Sequence, residues 1–502
     1  MFAAGGRFCV EAHSISKPDT LAIDQHTPIS PRWKATAMSH HVPSLLASSR
    51  ESVPFGTAYL PELCMGVDLS AAGYVEDEYL LDGVATVWRH GSDGGQEPVA
   101  IDQRFRTRVL IRRPANRANA SGLVQVEPLH PDLDSALVWN AIHPWLLRGN
   151  HTWMGVTVFS PIAQQLREID AERYGDIDIP QDGMQYDILA EAIRALRAGD
   201  LGARGIERVI LAGMSATGSF CRVVLQDGFH LRWERADGGR LIDGFIIGIS
   251  SGGAGAAGYP PLSSGDDEVP ADDPRRTITA RDAVAFEVLS ETEAETHELV
   301  TRADSDDEDD RYRLYEIAGT AHIEARASVL TNLQQFERSG GVRPAFDVRE
   351  RRSDGRYDLY LRGAFEAMHS WLTDGVVPPR AERFRHRPGT DELERDDDGN
   401  VLGGVRAPWI RVPTAAYAPH STASDESEPP PKWMPFSRPE MLARLVGSMS
   451  PFGLAELRSR YGTRAAYLDR FADAVRAEVT NGLLLEEDAA ELLREAPRRW
   501  RG

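Results

Sequence analysis

Residues 208–218 read RVILAGMSATG, and this stretch decides the fold. Val209, Ile210, Leu211 and Ala212 form a continuous apolar run, too short for a helix and without polar alternation, as expected of a strand buried on both faces. A serine set among small residues follows at once, and Ala216–Gln226 then reads as a helix. A strand that passes through G-x-S-x-x-G straight into a helix holds Ser215 in a tight bend, with its Oγ above the sheet edge. The backbone N–H of Ala216, in the first helical turn, then faces the place where an oxyanion would develop. The string by itself is weak, because Gly/Ser-rich turns are common; its setting between strand and helix makes it specific.

The rhythm continues on both sides. Tyr74–Trp88 and Arg104–Arg113 are rich in β-formers and are expected to be antiparallel strands. Leu123–Leu129 predicts a strand, Ser135–Leu147 a helix, Thr152–Phe159 a strand, and Met184–Arg197 an amphipathic helix carrying Ile188, Leu189, Ala192, Ile193 and Leu196 on one face. Leu241–Ser250, Ala283–Ser290 and Tyr312–Ala318 supply three further strands. Apolar strands alternating with helices imply an α/β fold, a doubly wound and mostly parallel sheet covered on both faces.

Residues 1–52 lack apolar periodicity and are expected to be a disordered or loosely attached tail, with Met38 as an alternative start. Residues 53–378 are expected to form the α/β core. Residues 379–502 are expected to add a strap (Pro413–Lys432) and two amphipathic helices, Thr463–Val479 and Glu486–Ala496, the second stopped by Pro497. Gly252–Asp282, rich in Gly, Pro and Asp, reads as a long excursion of the kind that roofs an active site. The acidic run Asp304–Asp310 reads as a solvated loop.

With 56 Lys+Arg against 76 Asp+Glu, the formal charge is −20, which disfavours nucleic acid and anionic membranes as partners. No apolar run reaches the ~18 residues a membrane helix needs. Three widely spaced cysteines indicate neither a disulfide framework nor a Cys-based zinc site. No export signal is legible, so a cytoplasmic location is expected.

A nucleophilic serine needs a base, and the base an orienting acid. In chain order serine, acid, histidine, the base falls just past the last parallel strand, where Ala318-Gly319-Thr320-Ala321-His322 offers His322. The acid falls after the preceding strand, where Ser290-Glu291-Thr292-Glu293 offers two carboxylates. Glu293 is preferred because it sits about a turn beyond the strand; Glu291 is the alternative. The second oxyanion donor is expected from Pro128-Leu129-His130-Pro131, where proline has no N–H and the backbone of Leu129 or His130 must serve. His130 could instead contact substrate. Cys221, on the helix after Ser215, is expected to be buried and structural, and Arg406 to be in a salt bridge.

From Tyr74 to Ala496 the chain resembles a bacterial α/β-hydrolase-domain family described in general terms as hydrolases or esterases. The matching segments are VEDEYLLDGVATVW (75–88), RTRVLIRRPAN (106–116), GLVQVEPL (122–129), HTWMGVTV (151–158), GMSATGSFCR (213–222), LSETE (289–293), YEIAGTAHI (315–323), DGVVPPR (374–380), DDGNVLGGVRAP (397–408) and GLLLEEDAAELLREA (482–496). The resemblance implies an α/β-hydrolase fold and a serine esterase triad of Ser215, Glu293 and His322. Where the family tends to carry S-Q-x-G-R, this chain has Ala216 and Ser219, a departure that bears on the pocket more than on a backbone donor.

The expected activity is ester hydrolysis through an acyl-enzyme, on a small-molecule ester and with no cofactor or metal. The alternatives are an amide, lactone or thioester substrate, acyl transfer to an alcohol, or a non-catalytic binding protein of the same fold.

Overall fold

In the computed structural model, residues 43–48, 52–58, 67–92, 94–235, 237–326, 332–342, 346–390, 392–430 and 437–500 are described. Nine strands form one sheet: β1 Ser44–Leu46, β2 Tyr74–His90, β3 Gln96–Pro114, β4 Leu123–Pro128, β5 Thr152–Val156, β6 Arg208–Met214, β7 Gly244–Gly248, β8 Val284–Ser290 and β9 Arg311–Ile317. Their spatial order is β1-β2-β3-β5-β4-β6-β7-β8-β9. The β1–β2, β2–β3 and β3–β5 pairs are antiparallel, and the six strands from β5 to β9 are parallel. The predicted α/β architecture is thus present.

Strand pleating divides the apolar side chains between two cores. On β6, Val209 and Leu211 face one core, while Ile210 and Ala212 face the other; on β8, Ala285 and Leu289 oppose Val284, Phe286 and Val288. The first core includes the helices Gln185–Ala198 and Ala216–Gln226, and the second includes Leu137–Arg148 and Tyr357–Asp374. Every parallel strand therefore ends at the same edge, where the loops after β4, β6, β8 and β9 assemble the site.

Several expectations are corrected. Ser44–Leu46 falls inside the stretch read as a loose tail, yet it pairs with β2; most of that stretch lies outside the described residues. The strap contains β10 Ala415–Ala418, paired antiparallel with β11 Ser448–Pro451, and buries Ala415 and Tyr417. Pro497 does not stop its helix, which runs Glu486–Arg499; in the last turn the proline forfeits only one intrahelical bond.

The acidic run is a loop with Asp306–Asp309 exposed, as expected, and it also holds arginines. Asp304 holds Arg383, Asp306 holds Arg313 and Arg380, and Asp310 holds Arg302, at 2.5–2.7 Å. The excursion 252–282 folds around the buried Arg276, whose guanidinium donates to the carbonyls of Pro270, Gly252, Gly255 and Val269. It is tied to the β2–β3 hairpin through Ser263–Trp88 and Asp266–His90, and none of the hydrogen bonds of the described residues links it to Ser215 or His322.

The helix Glu486–Arg499 also brings counter-ions to buried cations. Arg356 is paired with Glu491 and Glu495 at 2.9 and 2.7 Å, and Arg362 with Asp488 at 3.0 Å; Asp358 bonds both arginines.

Candidate active site

Ser215 sits between β6 and the helix Ala216–Gln226 with φ 57° and ψ −126°, a backbone conformation that costs a non-glycine residue about 1–3 kcal/mol. The flanking glycines make this bend sterically feasible. A Cβ on Gly213 would lie 2.2 Å from the Thr217 carbonyl oxygen, and one on Gly218 would lie 2.9 Å from that of Gly248. The bend is then tied in place: the Ser215 N–H donates to the Gly248 carbonyl at 3.0 Å, and Thr217 Oγ1 accepts from the Met214 N–H at 3.0 Å. Ser215 is half-buried and Ala216 exposed, so the elbow opens to solvent.

The loop after β9 carries His322. Gly319 there has φ 74°, and a Cβ would meet Trp409 and Ile410 at 2.5–2.6 Å, so glycine is required both for conformation and for space. The His322 N–H donates to Thr292 Oγ1 at 3.2 Å, joining this loop to the helix Glu291–His297 that follows β8. His322 Nε2 lies 3.0 Å from Ser215 Oγ, and Nδ1 lies 2.6 Å from Glu293 Oε1. Since a carboxylate oxygen only accepts, the ring proton belongs on Nδ1, leaving Nε2 as acceptor for the serine hydroxyl.

Glu293 is also the third residue of the helix Glu291–His297 and half of its capping box. Its Oε2 accepts from the Ser290 N–H at 3.2 Å and from Ser290 Oγ at 2.5 Å. The S-x-x-E spacing of Ser290 and Glu293 is a sequence signature that locates this carboxylate one turn into a helix. Glu291 points elsewhere: its Oε1 accepts from the Gly319 N–H at 2.7 Å and its Oε2 from Arg395 at 2.9 Å. Of the two carboxylates considered, only Glu293 reaches the histidine.

A strand-to-helix serine, a histidine past the last parallel strand and an acid past the one before it stand together at one sheet edge. The model of one family, the alpha/beta hydrolase domain, matches residues 40–494. The chain belongs to that family. No curated protein matches it. Among solved structures it is similar to a bacterial heroin esterase, at 12% identity and a TM-score of 0.31, covering 57% of this chain and 87% of that one. It is likewise similar to an esterase of the fungus Rhizomucor miehei, at 12% identity and a TM-score of 0.30, covering 59% and 91%. A thermostable esterase from Pseudomonas putida gives 10% identity and a TM-score of 0.27, covering 45% and 66%.

In this alpha/beta hydrolase the backbone reading of the second oxyanion donor is overturned. The Leu129 N–H donates to the Val156 carbonyl at 2.9 Å, extending the β4–β5 ladder, and the His130 N–H donates to the Ser135 carbonyl at 2.9 Å, closing the turn. Neither amide is left to bind an anion. Ala216, by contrast, is the first helical residue, and its N–H has no intrahelical acceptor.

The loop 129–135 is rigidly held. Asp134 accepts from Arg108 and from Thr157 Oγ1, each at 2.7 Å, and Asn332 Nδ2 donates to the carbonyls of Leu133 and Asp134 at 2.8 and 3.1 Å. Burial drives the His130 imidazole down to about 3, with nearby His322 adding to the effect, and burial pushes the Asp132 carboxyl up to about 6 against the opposing influence of His322.

Cys221 is buried, and desolvation raises its thiol well above the usual range, so it is not a competing nucleophile. Arg406 is paired with Asp396 at 2.9 Å. Trp139, Trp145 and Trp153 are buried, and the Arg112 guanidinium lies 4.4 Å from the rings of both Trp139 and Trp153. Among the described residues, no group of three or more His, Cys, Asp or Glu side chains is arranged to hold a metal ion, and no helix is long and apolar enough to cross a membrane.

Proposed function

We propose that the protein is a serine hydrolase that cleaves small-molecule carboxylic esters through an acyl-enzyme. His322 Nε2 takes the Ser215 proton as Oγ attacks the ester carbonyl, and Glu293 holds the imidazole and offsets the charge it acquires. The carbonyl oxygen becomes an oxyanion facing the Ala216 N–H at the positive end of the helix Ala216–Gln226. His322 then gives its proton to the leaving alcohol. In the second half-reaction it takes a proton from water, which attacks the acyl carbon, and returns that proton to Ser215 Oγ as the acid is released.

The observation that carries the reading is the Ser215–His322–Glu293 relay at 3.0 and 2.6 Å, built on a strained elbow. Strain at a site held by so many contacts is a mark of function rather than of stability. The chemistry calls on no cofactor, and the chain's negative field favours neutral or cationic esters over anionic ones.

The test is Ser215→Ala assayed on short-chain p-nitrophenyl esters. Loss of hydrolysis to the background rate with an unchanged melting curve is expected; hydrolysis at the wild-type rate would refute the assignment.

A further inference from the structure

In this fold the second oxyanion donor comes from the loop that follows β4. Here both candidate amides of that loop are already engaged, yet the loop presents another donor. The Asp132 N–H points at His130 Nδ1 at 3.1 Å, so this nitrogen must be an acceptor. The Asp132 carboxylate, 3.5 Å from the same nitrogen, makes no hydrogen bond to it. A neutral imidazole whose Nδ1 accepts carries its single proton on Nε2.

The His130 side chain is only 4% exposed, and its Nε2 is buried with no hydrogen-bond partner in the protein. An orphaned buried donor of this kind carries an unrelieved desolvation penalty, which a hydrogen-bond acceptor on a ligand would remove. The ring is close enough to His322 for the charge of one to disfavour that of the other, and burial keeps it neutral across the working pH range. Its backbone cannot drift, because the Ser135 carbonyl, the Asp132 turn and the Asp134–Arg108 pair fix the loop from three sides.

We infer that the second oxyanion donor is the Nε2–H of His130, a side chain acting where this fold ordinarily uses a backbone amide. The inference rests on the serine-hydrolase reading above. His130 donates a hydrogen bond to the oxygen of the tetrahedral intermediate and keeps its proton; no covalent change occurs at the ring. A neutral imidazole suits this work, since it polarises the carbonyl without bringing a second positive charge next to the imidazolium that forms at His322. His130 is then a catalytic residue in its own right, acting together with Ala216.

Two substitutions separate donation from loop support. In His130→Asn the side-chain oxygen still accepts from the Asp132 N–H, but nothing remains at the Nε2 position; in His130→Gln the amide nitrogen restores a donor there. On short p-nitrophenyl esters, His130→Asn is expected to lower kcat by ~10²–10³ with KM within about threefold, as for loss of one oxyanion donor. Affinity for a trifluoromethyl ketone should fall in parallel, and His130→Gln should recover at least about tenfold of the loss.

His130→Asn with kcat within about threefold of wild type would assign the donor to another group and overturn the inference. Should the variants fail to fold, wild-type protein labelled with ¹⁵N-histidine decides. Formation of the trifluoromethyl ketone adduct shifts the Nε2–H resonance of a neutral histidine downfield if His130 donates, and leaves it unmoved if it does not. Hydrolysis surviving in Ser215→Ala would sink the triad reading together with this inference, whereas a dead Ser215→Ala beside a fully active His130→Asn would sink this inference alone.

Discussion

Glu293→Gln replaces one oxygen by nitrogen and is nearly isosteric, yet the capping box makes its outcome sharply defined. Two donors of Ser290 converge on Glu293 Oε2, and the backbone N–H among them cannot rotate away. The glutamine carbonyl must therefore occupy the Oε2 position, which turns the amide NH₂ towards His322 Nδ1, 2.6 Å from Oε1 in the native arrangement. Facing a donor, Nδ1 becomes an acceptor and the ring proton moves to Nε2, where it confronts the Ser215 hydroxyl that it should deprotonate. The wrong tautomer of a triad histidine lowers kcat by ~10⁴, equivalent to about 5.4 kcal/mol at 1.36 kcal/mol per tenfold.

The fold itself loses little, because the amide oxygen still caps the helix at Ser290. The assay is kcat on a p-nitrophenyl ester beside a urea unfolding midpoint for the same preparation. Glu291→Gln is the control: it disturbs the Gly319 and Arg395 contacts but leaves the relay intact, so its kcat should stay within about tenfold of wild type. Glu293→Gln retaining activity within tenfold of wild type, or Glu291→Gln falling as far as Glu293→Gln, would refute the reasoning.

Two further outcomes follow from buried charge. Asp134→Ala leaves the fully buried Arg108 with Glu78 but without its 2.7 Å partner in the site loop, and should destabilise the fold by about 3 kcal/mol in urea titrations; a loss below about 1 kcal/mol would contradict the ion-pair account. Glu324, two residues past His322, is pushed by burial up to about 8 from 4.5. Its folded value exceeds its unfolded one, so the stability it confers is complete below about pH 4.5 and is lost as pH rises through about 8. Glu324→Gln should therefore be more stable than wild type at pH 8, by up to about 4 kcal/mol, with the difference vanishing near pH 4. Parallel pH–stability curves for the two proteins would refute it.

The parts of the fold and site that were legible in the sequence are those whose cause is local. The elbow residues Gly213 and Ser215 announce themselves because sterics within a few residues demand them, and Glu293 is foreshadowed by the capping-box spacing from Ser290. The helix Tyr357–Asp374 gives no comparable signal: it buries Leu359, Tyr360, Leu361, Ala364, Phe365, Met368 and Trp371, which go most of the way round, so its amphipathic stripe is blurred. Only Gly375, left-handed at φ 69°, marks its end. The role of Asp304–Asp310 was hidden because its arginine partners lie outside the run, two of them, Arg380 and Arg383, some seventy residues or more further along the chain. The second oxyanion donor was misjudged for the same reason. Whether the Leu129 amide is free depends on the carbonyl of Val156, a neighbour fixed by the sheet and not by the loop.

The pairing of Arg356 and Arg362 with the helix Glu486–Arg499 has a bearing on how the chain matures. Arg362 precedes Asp488 by 126 residues, and Arg356 precedes Glu495 by 139. At roughly 5–20 residues per second of translation, both guanidinium groups emerge on the order of ten seconds ahead of their counter-ions, sharing only Asp358 in the meantime. A nascent chain cannot dry out that layer until Asp488–Glu495 leave the ribosome, whereas the opposite layer, drawn almost entirely from residues before 315, is already in hand. Maturation is therefore two-sided in time: one flank of the sheet can settle during synthesis, and the other waits for acids made more than a hundred codons later.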